Sequence, residues 1–397
     1  MIVRRFAFLA LLTSLAVVMT VQSSRGQGTP EAAPGAEVTG DTILIGQTAA
    51  QSGPNAPTGE AKFGLQAYFD SVNARGGVNG KKLKLISYDD GYQPSQTTAL
   101  VKKLVYDDRV FAIVGSVGTP TNGAVYQTLD DSAVPLVAMS SGGPIFYHPT
   151  RKYVFPAWPL YSTDGKTMGE FVKRHFPHDS VAVIYQDDAF GKPILEGILS
   201  ELGRPADMTL PYVPSQVDFS SDVIKLKSAG IKVVLFATIA TPGAQIMNQM
   251  ENLSYHPTRL LTSSACGYTG IFKTVPSIEG TYCTAFLPAP GSDDPRWTAF
   301  GKAMATYAPG HPAEIYAAWG WLAGEVTVAA LRGIKGSITR DKFVAALNGL
   351  HGYDTIGGRL TYSAESHDGI CCQFMWQAKG GRWNVMPDKP FDGLAAK

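Results

Sequence analysis

Between Phe63 and Gly91 the chain changes its hydrophobic period twice. Phe63, Leu65, Tyr68, Phe69 and Val72 recur on one side at the spacing of a helix. The pattern stops at Arg75-Gly76-Gly77, where glycine can take the left-handed conformation that ends helices. Val78-Asn79-Gly80 reads as a tight turn. Leu83, Leu85 and Ile86 read as a buried strand that ends at Tyr88-Asp89-Asp90-Gly91. Ahead of the helix lie another strand, Ile43-Leu44-Ile45-Gly46, and a polar loop, Ser52-Gly53-Pro54-Asn55. The order is strand, loop, helix, glycine turn, strand. In open parallel sheets, ligands collect at such strand-end loops.

The same rhythm continues. Strands are predicted at 41–50, 81–88, 110–116 and 134–139, and helices at 59–74, 95–106 and 120–130. Such alternation argues for a parallel sheet with helices on both faces. Arg151 to Tyr161, with Pro156 and Pro159, reads as an extended crossover. A second series follows, with helices at 163–175, 190–202, 219–229 and 242–253 and strands at 180–187, 208–213, 232–238 and 259–264. Gly280 to Pro290 is strand-like and carries the chain back. Helices near 295–307, 314–333 and 339–348 come next, and short glycine-punctuated strands run from Arg359 to Val385. The predicted fold class is α/β, with two Rossmann-like units on either side of a proline-bearing connector.

The amino terminus reads as an export signal. Arg4-Arg5 precede an apolar run from Phe6 to Val21, short for a bilayer span but suited to a signal-peptide core. Cleavage is expected near Gly26, and 27–40 is expected to be a disordered leader. No cysteine precedes Cys266, which excludes a lipid anchor on the mature amino terminus. The apolar stretch from Ile315 to Leu331 is broken by Glu325 and reads as a core helix. With 45% hydrophobic and 17% charged residues and a net charge of +1, the chain is ordinary globular protein. Nothing in it calls for nucleic acid as a partner. A monomer is expected.

Catalytic and cofactor motifs are absent. Met139-Ser140-Ser141-Gly142-Gly143 lacks the spacing of a nucleophile elbow, and Pro193 after Gly191-Lys192 cannot donate an amide to phosphate. His175 and His178 read as solvated helix-end residues, and no metal or cofactor is expected. Two loops remain. Gly115 to Asn122 joins a strand to a helix start, where Pro120 suits the first turn and Thr119 could cap it. Ser140-Ser141-Gly142-Gly143 is a second hydroxyl-rich turn on the same side of the sheet. Together they suit a carboxylate, though each alone could be plain helix capping. The four cysteines, Cys266, Cys283, Cys371 and Cys372, allow three pairings. Cys266–Cys283 is favoured because both lie at one edge of the second unit and close a short loop. Cys371 and Cys372 alternate on a strand, so one is expected in the core, and a strained bond between them is the alternative.

The run SGPNAPTGEAKFGLQAYFDSVNARGGVNGKKLKLISYDD resembles the opening of the periplasmic solute-binding proteins of branched-chain amino acid ABC transporters. The likeness continues at Val110–Ser116, Ser180–Asp188 with Phe190-Gly191, and Phe219–Asp222 with Ala229-Gly230, covering nearly all of 41–386. It implies the type I periplasmic-binding fold, with two lobes joined by three crossovers. Lobe I would be 41–158 plus 288–370, and lobe II 159–287 plus 371–397. It also implies ligand contacts. Thr119 takes the place of the family's binding serine, and Ser140 and Gly142 fall at its other carboxylate contacts, with Ser141 in the same turn. Thr58, Phe190, Ile239 and Tyr316 fall at positions that are often aromatic. Ser264 stands where amino acid binders often carry a glutamate for the ligand ammonium. Trp158, Trp319 and Trp321 are nearby candidates, and Asp187 and Asp188 are either contacts or helix-entry residues.

The resulting expectation is a periplasmic subunit that closes on a small carboxylate-bearing solute and delivers it to an ABC permease with its ATPase. A ligand sensor for a signalling system is the alternative. An exported hydrolase fits less well, because no nucleophile–base pair can be assembled.

Overall fold

The computed structural model describes residues 33–387 except Tyr268, Thr269 and Cys371. The expected signal segment and cleavage site lie outside the described residues. The first sheet is wholly parallel. It contains β1 (Thr42–Ala49), β2 (Lys82–Asp89), β3 (Ala112–Val114), β4 (Leu136–Met139) and β5 (Val154–Pro156), in the order β2-β1-β3-β4-β5. The second sheet begins with β6 (Val181–Gln186), β7 (Met208–Tyr212), β8 (Val233–Ala237), β9 (Thr258–Leu261) and β10 (Tyr282–Ala285). A small antiparallel sheet holds β11 (Tyr353–Thr355), β12 (Gly358–Thr361) and β13 (Gly369–Ile370). The chain then returns to the second sheet as β14 (Phe374–Lys379) and β15 (Arg382–Val385), completing the order β15-β14-β10-β9-β8-β6-β7. The chain thus leaves the first sheet after β5, leaves the second after β10 for three helices and the small sheet, and returns to the second after β13.

The glycine turn behaves as its residues predict. Gly76 and Gly77 have φ of 101° and 84°, and Asn79 and Gly80 have φ of 50° and 77°. Positive φ at both central positions is the signature of the tightest hairpin turns. The following strand, β2, is the sheet edge, so only Leu83 is fully buried and Leu85 and Ile86 are half-covered. The predicted helix over 120–130 is two short helices, Thr119–Gly123 and Tyr126–Asp131. The strand expected to reach residue 264 stops at Leu261, and Ser263–Cys266 forms a helical turn instead.

Two helices hold the first lobe through glycines. Ala61–Ala74 packs against Ile315–Arg332, and both backbones approach closely. A Cβ on Gly64 would sit 1.7 Å from the Ala317 carbonyl oxygen, and one on Gly320 would sit 1.7 Å from that of Ala61. Only glycine permits that separation. The helix Ile315–Arg332 is buried on nearly every side, which explains its even apolar composition. Glu325 in it accepts from the Trp321 indole and the Ile356 amide at 2.9 and 2.8 Å. Burial pushes its carboxyl up to about 7. No helix among the described residues is long and apolar enough to cross a membrane.

Residues 33–40 depart from the expected disordered leader. The buried Arg340 guanidinium donates to the carbonyls of Ala33, Pro34, Val110 and Phe111 at 2.8–2.9 Å. Glu37 also bridges to Thr339. The anchoring group is some 300 positions away in the chain, so composition near residue 33 could not reveal it. A disulfide joins Cys266 to Cys283. Cys372 is also disulfide-bonded, which departs from a core thiol.

Candidate ligand cleft between the two lobes

The carboxyl ends of the parallel strands of both large sheets face one narrow cavity. From the first lobe come Asn55 and Thr58 after β1, Tyr92 after β2, Val117 to Thr119 after β3, and Ser140 after β4. Phe190 after β6, Ile239 after β8 and Ser264 after β9 come from the second. Trp158 and Tyr161 enter from the first crossover, and Trp319 from the helix Ile315–Arg332. Six of the nine expected ligand residues therefore meet here: Thr58, Thr119, Ser140, Phe190, Ile239 and Ser264.

The other three stand behind the wall. Ser141 Oγ lies 2.8 Å from Thr119 Oγ1 and fixes that hydroxyl. Gly142 lets the turn pack on the crossover, since a Cβ there would lie 2.2 Å from the Pro159 carbonyl oxygen. Tyr316 donates its hydroxyl to the Ser264 carbonyl at 2.8 Å, and it is Trp319, one turn later, that reaches the cavity. Trp321 lies elsewhere, packed edge-on against Tyr68 with ring centres 4.7 Å apart.

Thr119 is not a side-chain cap. Gly118, at φ 111°, occupies that position, and Thr119 is the first helical residue. Its hydroxyl is free of backbone duty and also reaches the Tyr161 hydroxyl at 3.3 Å. The helix it opens is five residues long, so its dipole adds little. Hydroxyls carry the polar character of this wall. The Ser140 turn is aimed by a bulge: register shifts between Val137 and Met139, and Ala138 has φ 50°.

On the second lobe, Asp188 accepts from the amide of Phe190 at 2.8 Å, and Asp187 pairs with Lys192 at 2.9 Å. Both are helix-entry residues. Among the described residues lining the cavity, none is charged. Asn55 Oδ1, Trp158 Nε1 and Trp319 Nε1 are buried there without hydrogen-bond partners. An unmet buried polar group costs on the order of 1–3 kcal/mol, so such groups await something.

Tyr92 is the main residue that sequence reasoning missed. Asp90 Oδ1 accepts from the Tyr92 amide at 3.0 Å, and Tyr92 has φ 61°, a left-handed conformation tyrosine rarely adopts. Burial raises the Asp90 carboxyl to about 6. The Tyr92 hydroxyl accepts from Gln186 Nε2 of the second lobe at 3.3 Å. Gln186 Oε1 accepts from the Tyr212 hydroxyl at 3.0 Å, and that hydroxyl accepts from the Ile239 amide at 3.1 Å. This chain of hydrogen bonds crosses the cleft. Burial raises the phenols of Tyr92 and Tyr161, keeping both as neutral donors.

A cavity between two parallel-sheet lobes, reached by three crossovers, is an arrangement for closing on a small molecule. A model of the family described as periplasmic binding protein matches residues 42–382. The chain belongs to the periplasmic binding protein family. The Leu/Ile/Val-binding protein homolog 3 of Brucella melitensis is 28% identical to it over 330 residues, 81% of this chain and 87% of that one. The amino acid binding protein of Pseudomonas aeruginosa is 24% identical over 213 residues, 53% of this chain and 57% of that one. The structure of a branched chain amino acid ABC transporter from Thermus thermophilus with bound valine matches with a TM-score of 0.80 at 20% identity. It covers 89% of this chain and 97% of that one. The likeness to that structure shows the type I fold, and the family implies a periplasmic location. In this periplasmic binding protein Ser264, in its helical turn, adds a neutral residue to the cavity lining.

Proposed function

We propose that the protein is the extracytoplasmic solute-binding subunit of an ABC importer, and that its solute is a small carboxylate or amide without an ammonium group. The carrying observation is the uncharged cavity with hydroxyls on one wall and aromatic rings on the others. A carboxylate would rest on Thr119, Ser140 and the amides of their turns. Charge-assisted hydrogen bonds of this kind contribute about 1.5–3 kcal/mol each. Asn55 Oδ1 is a neutral acceptor, suited to an amide N–H or an undissociated acid. An ammonium would have to be desolvated against neutral groups only, which costs more than they return.

Thermal-shift screening of leucine, isoleucine and valine against their deaminated acids and amides tests the ligand class. The acids or amides are expected to stabilise the protein more. If one of the three amino acids gives the largest shift, the ammonium argument is wrong. Closure has its own measurement. Ligand lining both lobes biases an open–closed equilibrium toward the closed form. Small-angle scattering is expected to give a smaller radius of gyration with the best acid than without, and an unchanged profile at saturation would count against hinge closure. Tyr92→Phe removes one neutral cross-lobe hydrogen bond, worth about 0.5–1.5 kcal/mol. It is expected to speed dissociation of that acid by roughly two- to tenfold in stopped-flow experiments. A rate equal to the parent's would remove Tyr92 from the closing contacts.

A further inference from the structure

Trp319 lines the solute cavity and also lines a second, narrow chamber. Ala285, Leu287, Ile315 and Trp376 make this chamber mostly apolar. Phe286 also lines this chamber, and it lines a large groove open to solvent as well. The groove is apolar in turn, with Pro288, Ala289, Ile356, Ile370 and Phe374 among its lining residues. Its charged groups are already paired. Arg296 is held by Asp294 at 2.6 Å and Arg359 by Asp354 at 3.4 Å. The first two spaces thus share Trp319 and the last two share Phe286, two aromatic dividers.

Both dividers lean on one residue. Trp319 and Phe286 pack edge-on against Trp158, with ring centres 4.4 and 4.6 Å apart. Neither Trp319 Nε1 nor Trp158 Nε1 has a hydrogen-bond partner. Packing alone therefore holds the Trp319 ring, and turning it aside breaks no hydrogen bond. Trp158 lies in the first crossover and Phe286 begins the second, whereas Trp319 belongs to the helix Ile315–Arg332.

We infer that the three spaces form one path, and that the solute is an amphipathic carboxylic acid whose apolar tail runs past Trp319 into the second chamber and toward the groove. This rests on the carboxylate reading of the Thr119 wall. The head would stay at Thr119 and Ser140, and the tail would replace Trp319 against Trp158.

The test is calorimetry on the full-length mature protein with butanoate, hexanoate, octanoate and decanoate. Affinity is expected to rise with length at up to about fourfold per methylene, the factor for burying one such group. Ala285→Phe, which fills the chamber, is expected to cut decanoate affinity at least tenfold and to leave butanoate unchanged. Affinity that stops rising beyond butanoate in the parent protein overturns the path while leaving the carboxylate reading intact, so the inference does not depend on the variant folding. Equal decanoate affinity in parent and Ala285→Phe places any long tail on the outer groove alone and also overturns it. If no acid of any length binds, the carboxylate reading fails, and the path fails with it.

Discussion

Replacing Asp164 with asparagine is expected to stabilise the protein at pH 8 and to change it little near pH 4. Asp164 lies in the first turn of the helix Tyr161–His175 and is wholly buried. Neither carboxylate oxygen has a well-aligned hydrogen-bond partner. Burial raises its carboxyl from 3.8 to about 7, with the side chains of Thr284, Ser263 and Gln373 offsetting part of the shift. The folded state therefore holds this proton more tightly than the unfolded state does. Below the unfolded value both states are protonated, and the group has no effect. As pH rises toward the folded value, the unfolded chain ionises freely and the folded chain does not. Stability then falls by about 1.4 kcal/mol per pH unit, reaching a loss of up to about 4 kcal/mol and levelling off above pH 7. Asparagine keeps the shape and never ionises. Urea unfolding of both proteins between pH 4 and pH 8 reads the difference directly. Asp90 and Glu325 are raised for the same reason, to about 6 and about 7. Their slopes are common to both proteins and cancel. A difference that does not grow with pH would mean that Asp164 is ionised and well partnered in the folded protein.

Thr119→Ala is expected to weaken binding of the best acid by roughly 10- to 100-fold while leaving the fold almost untouched. The hydroxyl is buried in the cavity wall and held by Ser141 and Tyr161. It is therefore pre-oriented, and little entropy is lost when it meets a carboxylate. A hydrogen bond to a charged group contributes about 1.5–3 kcal/mol, which sets the range. The internal bonds it makes are neutral, so lost stability is expected to be near 1 kcal/mol. Thr119→Ser keeps the hydroxyl and is expected to restore most of the affinity, which a purely packing role for the threonine methyl would not allow. Titration calorimetry of the three proteins decides this, and an unchanged affinity in Thr119→Ala would remove the carboxylate site from this wall.

The order and type of the main elements were legible along the chain because they depend on local periodicity. Alternating strand and helix patterns mark the two parallel sheets, and Arg75 to Gly80 ends a helix and turns the chain through residues only glycine and asparagine suit. The loops at strand ends were legible for the same reason, which is why Thr119 and Ser140 were identifiable as neighbours in space, whereas Phe190 and Ser264 came only from the family resemblance. What periodicity cannot show is which of several nearby side chains reaches a cavity. Tyr316 and Trp319 lie one helical turn apart and point the same way. Only packing against the Ser263–Cys266 turn ties the tyrosine to a carbonyl and leaves the indole facing the cleft. Trp321, two residues on, points across the helix to Tyr68. Tyr92 was hidden because its direction comes from a left-handed backbone held by Asp90, not from any repeat. Trp158 was a nearby candidate through the family resemblance alone, and Tyr161 was visible only as the end of the connector. Residues 33–40 read as leader because the group that ties them, Arg340, is distant in sequence. Local pattern determines elements through backbone geometry that each segment carries within itself. The composition of a cleft between lobes is decided by contacts among segments hundreds of residues apart, and these exist only once the chain has crossed three times.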